Sequence, residues 1–352
     1  MALTVLLSMV WPLMWSLTYG STDAVLGVGV DGISRATIIE EIPDLHLVDD
    51  VGHDGQQYYV IARHPFDPKS AAPSLDRAEY RYRRIVFPLV AGLLAPDGGR
   101  GLIAAFALLS LLGVSLGAWA LSGLAAAPRW LPLSLAVTPA VITSLTLSLA
   151  DALATGIALG AVLAAERRRL ALALIAVTVA VLTRETFILV AIGLAFTPGL
   201  HRRWRFLLPS VPAVLLGAWS WWCAHQVGAS LLGGGADLIA WPMSGLLSPH
   251  TGDATRALTV AVAVLLGVAA WRARTRKPHV AAILALEFVL LLCLSDLVAF
   301  SWTNSLRTAA PMLPLALWLL LADAQSPDCE EPESLAGEAR AARASAISAS
   351  RA

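Results

Sequence analysis

The sequence predicts an all-α polytopic membrane protein, and three observations support that prediction. Of the 352 residues, 57% are hydrophobic and only 14% are charged, whereas ordinary soluble domains carry about 25% charged residues. The hydrophobic residues stand in long runs, and the mean hydropathy is +0.69. The basic residues between the runs gather in short segments, "ERRR", "HRRWR" and "RARTRK". We therefore expect about 9–11 transmembrane or half-length helices, with a large outer loop that carries interfacial helices.

The candidate membrane spans are the apolar runs 2–19, 102–124, 131–150, 152–165, 206–226, 256–271, 280–300 and 308–322. A helix needs about 20 apolar residues to cross the hydrocarbon core, so the run 152–165 is short for a span. The stretch 170–197 is too long for one straight span, and the polar segment "LTRET" interrupts it at 182–186. We predict two half-length helices there, which meet at Thr183–Glu185.

The arginine-rich loops predict the orientation, because short cytoplasmic loops of membrane proteins carry an excess of Lys and Arg. A hairpin at 170–197 puts all three basic segments on one side, which is then the cytoplasmic side. The loop 20–101 lies outside, and its apolar stretch 85–95 is expected along the outer interface. Residues 1–322 form the transmembrane domain of a multi-pass plasma (inner) membrane protein. The polar tail 323–352 is expected to be disordered in the cytoplasm.

Several functional classes find no support in the sequence. A formal net charge of zero argues against the broad basic field of a nucleic-acid-binding protein. The cysteines Cys223, Cys293 and Cys329 have neither the spacing of a metal site nor that of a disulfide framework. The glycines of "GVGVDG" at 27–32 lack the spacing of a nucleotide-binding loop. The polar residues gather instead on the predicted outer side, and charged groups at membrane depth tend to be functional.

The segment "HDGQQYYVIAR" in the outer loop carries the first candidate residue, Asp54. Asp54 and Gln57 stand three residues apart, which is the pattern of a capping box at the start of a helix. Alternatively, an aspartate in a partly desolvated outer cavity acts as a general base and accepts a proton from an attacking hydroxyl. The residue pattern leaves both interpretations open.

A second segment, "SLDRAEYRYRRIVFP", combines a capping pattern with a set of arginines. Asp76 and Glu79 have the spacing of a helix cap. Arg77, Arg81 and Arg84 stand at i, i+4 and i+7 and are predicted to share one face of a helix. Guanidinium forks match phosphate oxygens. The face is therefore either a site for a lipid phosphate or diphosphate, or a contact with lipid headgroups.

Three charged residues lie between the later apolar runs: Asp151 in "LADALA", and Arg184 with Glu185 in "LTRETF". Adjacent side chains diverge on a helix, so Arg184 and Glu185 are expected to have separate partners. For Arg184 the two candidates are a lipid phosphate and an ion pair with Asp151. The predicted outer side also holds Asn304 and Arg307.

In their order along the chain, these features resemble the GT-C superfamily of integral membrane glycosyltransferases. The matching segments are "DGQQYYVIA" after the first span, "YRYRRIVFPLVAGLLAPDGGR" before the second, "DALATGIALGAVLAAERRR", and "LTRE" in the broken hairpin. The resemblance covers residues 1–200, while the last third matches only as a stack of spans. It implies an inverting transfer of a sugar from a polyprenyl-phosphate donor to a cell-envelope glycan or lipid acceptor, as in bacterial relatives that form cell-surface glycopolymers.

The resemblance also implies roles for single residues. Asp54 aligns with the loop acid that acts as base on the acceptor hydroxyl, and Arg184 with the basic residue that holds the lipid phosphate. Relatives often carry paired acids in this loop, so Asp49 and Asp50 are the alternative catalytic residues or metal ligands. Some relatives use a divalent metal and others do not, so the cofactor stays open. The substrate-binding candidates are Gln57, Tyr58, Arg77, Arg81, Arg84, Asp151, Arg184 and Glu185.

A transporter or flippase for a lipid-linked or small anionic substrate is the main alternative, because broken helices and intramembrane charges are also transporter features. A transporter predicts inverted repeats and a polar path to both faces. No such repeat stands out, and the cytoplasmic halves of the spans are nearly all Ala, Leu and Val. A third hypothesis, a non-catalytic scaffold, predicts that Asp54, Arg81 and Arg184 lie far apart.

Overall fold

Helices, many of them apolar, make up most of the described chain. The computed structural model describes residues 1–48, 50–230 and 236–325. Helix accounts for 73% of the structure, and the described residues contain isolated β-bridges but no strand. Helices long and apolar enough to cross a membrane are Ala2–Tyr19, Gly99–Ser122, Arg202–Val227 and Asp253–Ala273. The architecture is consistent with the predicted all-α membrane protein.

The α-helices of the described chain are numbered in chain order. The first seven are α1 (Ala2–Ser8), α2 (Val10–Tyr19), α3 (Arg35–Glu41), α4 (Asp54–Arg63), α5 (Pro68–Ala71), α6 (Ala78–Arg81) and α7 (Val86–Leu94). The next six are α8 (Gly99–Ser122), α9 (Pro139–Leu147), α10 (Asp151–Glu166), α11 (Leu170–Thr183), α12 (Ile188–Leu194) and α13 (Arg202–Val227). The last six are α14 (Ser244–Leu247), α15 (Asp253–Ala273), α16 (Pro278–Leu292), α17 (Asp296–Ala299), α18 (Trp302–Ala309) and α19 (Leu313–Gln325).

The stretch 170–197 is a hairpin of two helices, with the break where the sequence predicts it. After α11, Arg184 takes extended backbone angles (φ −154°, ψ 121°), and a 3-10 turn follows at Glu185–Phe187 before α12. Arg168, just before α11, donates a hydrogen bond to the carbonyl oxygen of Pro198, just after α12. The two ends of the hairpin therefore lie together at one end of the bundle.

The basic segments meet at that end, and we name it the basic end. Glu166 closes α10 and pairs with Lys277 Nζ at 2.5 Å and with His279 Nε2 at 2.9 Å. Arg167 donates to the carbonyl oxygen of Gly123, which follows α8, at 3.4 Å. The ends of α8, α10 and α16 therefore lie side by side. The opposite end of the bundle, where α10 begins at Asp151, is named the cavity end.

Two predicted spans contain a break caused by proline. The run 131–150 begins as a 3-10 helix at Leu131–Val137, and α9 starts only at Pro139. Proline suits the first position of a helix, because its missing N–H needs no partner there. The run 308–322 is interrupted between α18 and α19, where Pro311 cannot donate to the preceding turn.

A tertiary contact ends the predicted span 280–300 early. α16 stops at Leu292, and its last carbonyl oxygens accept hydrogen bonds from another segment. The oxygen of Leu292 accepts from the N–H of Met243, and that of Cys293 accepts from Ala240, at 2.7 and 2.8 Å. Because these carbonyl oxygens bond the segment around Met243, they do not continue the hydrogen bonds of α16. The helix therefore ends before α17.

The long loop between α2 and α8 packs against the helix bundle through an aromatic cluster. Tyr58 and Tyr59 of α4 are fully buried, and so are Phe87 of α7 and Phe106 of α8. The rings of Phe87 and Phe106 stack with centroids 5.1 Å apart, and Tyr58 meets Phe87 edge-on. Burying such large apolar side chains fixes α4 and α7 on the bundle. This position brings the start of α4 to the cavity end.

Candidate functional site

A cavity of about 430 Å³ opens at the cavity end, and its walls differ in chemistry. One wall is polar and contains six arginines and three carboxylates. These charged residues are Arg77, Arg81, Arg83, Arg84, Arg184, Arg307, Asp54, Asp76 and Glu185. The other wall is apolar and consists of Leu238, Ile239, Leu290, Leu294, Leu297 and Val298. Such a cavity suits a ligand with an anionic group and an apolar part.

The segment "GVGVDG" holds the chain that leads to Asp54. Bridges join Val28 to Gly52 and Gly29 to Val48. The N–H of His53 also bonds the carbonyl oxygen of Gly27 at 2.8 Å. A Cβ on Gly29 would lie only 2.3 Å from backbone atoms of the facing segment, so this close pairing requires glycine. The segment "GVGVDG", which lacks the spacing of a nucleotide-binding loop, therefore supports the start of α4.

The glycine directly after Asp54 has a packing role as well. A Cβ on Gly55 would lie 2.4 Å from the carbonyl oxygen of Leu147 and 2.5 Å from that of Leu26. Both are backbone atoms and cannot rotate away. A second acid at position 55 would therefore not fit, which explains why Asp54 is not followed by another carboxylate.

Asp54 contacts three arginines. Its carboxylate lies 2.7 Å from Arg81, 3.1 Å from Arg307 and 3.4 Å from Arg84, and its side chain is 15% exposed. Burial alone would raise the pKa of Asp54, but Arg81, Arg307 and Arg84 outweigh it and hold the pKa well below the usual range. Asp54 is therefore ionised at neutral pH.

Two of these arginines also bind a second acid with two parallel hydrogen bonds from one edge of the guanidinium group, which is formed by Nε and Nη2. Arg81 donates to both oxygens of Asp76 at 2.8 and 2.6 Å. Arg84 donates to both oxygens of Glu185 at 2.9 and 2.8 Å. Such forked pairs fix a guanidinium plane better than a single bond does. Asp76 and Glu185 therefore hold Arg81 and Arg84 in place beside Asp54.

Tyr80 adds a hydroxyl group to this network. It donates to Glu185 at 3.1 Å and accepts a hydrogen bond from Arg84. Burial and the nearby Glu185 raise the pKa of Tyr80 to about 12, although Arg84 opposes the shift. Tyr80 therefore remains a hydrogen-bond donor at neutral pH.

Arg184 has the ion-pair partner that the sequence suggests as the alternative to a phosphate. Its Nη1 lies 2.8 Å from Asp151, which is fully buried, and its Nη2 donates to Thr308 at 3.1 Å. The contact with Asp151 lacks hydrogen-bond geometry. Arg184 is nevertheless one of the residues that line the cavity. Glu185 bonds Arg84 and Tyr80, so the adjacent pair has separate partners, as predicted.

The predicted site residues divide into a cavity group and a supporting group. Those that line the cavity are Asp54, Arg77, Arg81, Arg84, Arg184 and Glu185. Gln57, Tyr58 and Asp151 lie behind the wall: Gln57 accepts from the N–H of Asp76 at 3.3 Å, and Tyr58 accepts from Arg84 at 3.3 Å. These contacts give Gln57 and Tyr58 a supporting position.

The alternative catalytic residues fall elsewhere. Asp50 is exposed, has a positive φ of 73°, and is not among the residues that line the cavity. Its carbonyl oxygen accepts the N–H of Asp31, so it belongs to the supporting pairing. Asp49 lies outside the described residues.

Both predicted capping boxes are wrong. Asp54 is the first residue of α4 rather than its cap, the N-cap is His53, and no side chain caps this helix. Its carboxylate bonds arginines instead of backbone N–H groups. Asp76 likewise pairs with Arg81, and α6 begins after Arg77 without a side-chain cap. Ion pairs take the place of the capping bonds in both positions: distant arginines for Asp54, and Arg81, five residues further on, for Asp76.

The predicted helical stripe of arginines is also wrong in its geometry. α6 has four residues, the chain continues as a 3-10 helix at Tyr82–Arg84, and Arg77 precedes the helix. All three arginines nonetheless line the cavity. Arg77 reaches it beside Asp237, with which it pairs at 2.9 Å.

Several cavity residues are not among the predicted catalytic or substrate-binding residues. They are Asp76, Tyr80, Arg83, Asn304, Arg307 and Thr308. Arg307 is the most important, because it contacts Asp54 from α18, at the far end of the chain. In the sequence, Arg307 is marked only by its place in an amphipathic segment on the predicted outer side. No neighbouring residue indicates that it contacts Asp54.

The described residues contain no group of three or more His, Cys, Asp or Glu side chains that could hold a metal ion. The carboxylates in the cavity are each engaged by arginines. Comparisons with protein-family models, curated proteins and solved structures found no match.

Proposed function

We propose that this protein is an inverting membrane glycosyltransferase that uses a polyprenyl-phosphate sugar as donor. The observation that supports it most is the cavity itself, in which an ionised aspartate and six arginines face an apolar wall. Asp54, Arg81 and Arg184 line this one cavity, which speaks against the scaffold hypothesis. The resemblance to GT-C enzymes points to the same chemistry.

The charge of the cavity suits a phosphodiester. Its lining carries three more arginines than carboxylates. Asp237 pairs with Arg77 and Asp151 with Arg184 from outside the lining, so acids beyond the lining offset part of this positive charge. A polyprenyl-phosphate sugar carries one negative charge on its phosphate. Guanidinium groups bind such oxygens through parallel hydrogen bonds.

The apolar wall suits the first isoprene units of the donor. Leu290 lies near the end of α16 and Leu294 follows the helix, and Ile239, beside Leu238, pairs with Leu294 in an isolated bridge. Contact with these side chains removes apolar surface of the lipid from water, which is favourable at about 25 cal/mol per Å². The same cavity thus holds the phosphate and the start of the chain.

In the proposed reaction, Asp54 acts as the general base. The acceptor hydroxyl oxygen attacks the anomeric carbon, the bond from this carbon to the phosphate oxygen breaks, and the hydroxyl proton passes to Asp54. Arg81, Arg84 and Arg307 hold the pKa of Asp54 low, which makes it a weak base without substrate. A bound phosphate competes for these arginines and thereby raises the pKa of Asp54 toward its ordinary value.

The arrangement of the helices also supports the proposed topology. Ten segments cross or half-cross in this view: α1 with α2, α8, residues 131–147 including α9, α10, α11, α12, α13, α15, α16, and α18 with α19. The basic end faces the cytoplasm and the cavity end faces outward, in accordance with the excess of arginine in cytoplasmic loops. The plasma (inner) membrane is the proposed location, and a cell-envelope glycan or lipid is the proposed acceptor.

Turnover of synthetic donors tests the proposal. We would reconstitute the full chain in lipid nanodiscs, supply a panel of polyprenyl-phosphate hexoses and pentoses with a membrane extract as acceptor, and measure released polyprenyl phosphate. Release by the wild type and its loss in Arg84→Gln is the expected result. The control is Arg129→Gln, near the basic end. Passage of the intact donor across proteoliposomes without release would instead favour the transporter.

A further inference from the structure

A second concavity lies in the half of the bundle near the basic end. It is a groove of about 190 Å³ between α8, α10 and α11. Its apolar lining consists of Leu116, Trp119, Gly156, Ile157, Gly160, Leu163, Ala164, Leu172 and Ala176. Trp119 and Leu172 are about half exposed, at 51% and 50%, so the groove opens on the outer surface of the bundle. Arg167 and Arg169 close one end.

The floor of the groove is open at Gly160. A Cβ on Gly156 would lie 2.0 Å from the carbonyl oxygen of Gly113, so Gly156 is needed where α10 packs against α8. A Cβ on Gly160 would meet nothing within 4 Å. The missing side chain at Gly160 therefore serves no packing contact among the described residues, and it leaves room for an external occupant.

The groove has the length of one leaflet. Along α10, the axis rises about 16 Å from Gly156 to Arg167. The hydrocarbon core of a bilayer is about 30 Å thick, so this rise is roughly half of it. The groove therefore spans the depth of a single acyl chain, with Arg167 and Arg169 at the level of the headgroup.

The two arginines at the end of the groove carry uncompensated charge. The adjacent acid, Glu166, is already engaged by Lys277 and His279. Within the described part of the chain, neither Arg167 nor Arg169 forms an ion pair. An anionic headgroup would supply the missing charge, whereas a protein helix of apolar residues would not.

We propose that this groove is a binding site for an anionic phospholipid. One acyl chain lies over Gly160, and the phosphate accepts hydrogen bonds from Arg167 and Arg169. Basic pockets between helices near the cytoplasmic surface favour anionic lipid headgroups. The proposal rests on the groove alone and does not depend on the activity of the cavity at the other end.

Native mass spectrometry of the full chain tests the site. The delipidated protein is titrated with phosphatidylglycerol and, separately, with phosphatidylcholine of the same acyl chains. We expect the anionic lipid to be retained preferentially. The double variant Arg167→Gln/Arg169→Gln should lose that preference by a factor of about 30, since each arginine near an anionic surface is worth about 1 kcal/mol.

A second variant tests the groove itself. Gly160→Leu fills the open floor and should release the lipid, whereas Gly217→Leu is the matched control, because a side chain at Gly217 on α13 also meets nothing within 4 Å. Equal retention of both lipids by the wild type would overturn the proposal. So would a Gly160→Leu variant that keeps its lipid, because the open floor would then not be where the acyl chain lies.

Discussion

Asp54 lies within 3.4 Å of three guanidinium groups from two distant parts of the chain. Arg81 and Arg84 follow it in the same loop, and Arg307 comes from α18. The arginines stabilise the carboxylate, and in the proposed function they also bind the phosphate of the donor. This double use of the same side chains connects the stability of the empty protein with the affinity for its substrate.

The low pKa of Asp54 predicts a pH dependence of stability. The folded pKa lies below the unfolded value of about 3.9, so the ionised contact stabilises the fold above pH 4 or so. The stabilisation decreases as the pH falls toward the folded pKa. Thermal unfolding in detergent should therefore show Asp54→Asn less stable than the wild type at pH 7, with the difference shrinking below about pH 4. Asp97→Asn, an exposed carboxylate, should show no such convergence.

The buried pair Asp151–Arg184 gives a second prediction. Asp151→Leu leaves Arg184 buried without its partner, and we expect a loss of about 3–5 kcal/mol in the free energy of unfolding. The double variant Asp151→Leu/Arg184→Met removes both charges and should recover most of that loss. Thermal unfolding of the wild type, the single variants Asp151→Leu and Arg184→Met, and the double variant gives the coupling free energy between the two side chains. Additive effects of the two substitutions would contradict the pairing.

Site residues can be predicted from the sequence when their immediate neighbours in the chain make them stand out. Charged residues in or beside apolar runs, such as Asp54, Arg84 and Arg184, are found by that signal. Tyr80 and Arg307 are not, because their roles come from partners 105 and 253 positions away. The capping prediction for Asp54 fails for the same reason, because the capping rule considers only neighbouring residues and Arg307 is 253 positions away.

At the scale of elements, the glycines around α4 decide where Asp54 points. Gly29 permits the pairing of Val28 with Gly52 and of Gly29 with Val48, and Gly55 permits the close approach of α4 to the end of α9. Neither glycine touches the cavity. Their effect on the site comes from the backbone position that they allow.

Gly55→Ala is expected to destabilise the protein and displace Asp54. The added methyl group would lie 2.4–2.5 Å from two carbonyl oxygens, and neither can move without its helix. The unfolding temperature should fall, and donor turnover should fall with it. Gly217→Ala is the control, because its methyl group meets open space. Unchanged unfolding of Gly55→Ala would show that this packing is looser than described.

The elements that the sequence predicts well are those set by local composition. The break at 182–186 follows from polar residues inside an apolar run. The early end of α16 does not, because it depends on hydrogen bonds with the loop around Met243. Composition does not predict the 3-10 segment Leu131–Val137 either, because this segment is as apolar as a regular span.

At the scale of the whole molecule, the two ends of the bundle have different chemistry. The basic end joins Glu166, Lys277 and His279, whereas the cavity end collects Asp54 with its arginines. The sequence predicts this segregation from the hairpin and the basic loops. It does not predict the shape of the cavity, which requires α6, α16 and α18 to meet.

Cysteine labelling tests the proposed orientation. In a background with Cys223, Cys293 and Cys329 replaced by Ser, Asp97→Cys lies near the cavity end and Arg272→Cys near the basic end; both positions are exposed. A membrane-impermeant maleimide should label Asp97→Cys in intact cells and Arg272→Cys only after permeabilisation. The reverse pattern would place the cavity in the cytoplasm.

In the proposed reaction, Asp54 acts as a base in a site whose arginines bind the phosphate of the donor. The most direct test measures both functions in Asp54→Asn, with folding checked by size-exclusion chromatography and thermal unfolding. Undecaprenyl phosphate should bind the variant about tenfold more tightly than the wild type, because the competing carboxylate charge is gone. Release of polyprenyl phosphate from the donor should be lost. A folded variant that retains turnover, or that loses phosphate binding together with turnover, would contradict the account.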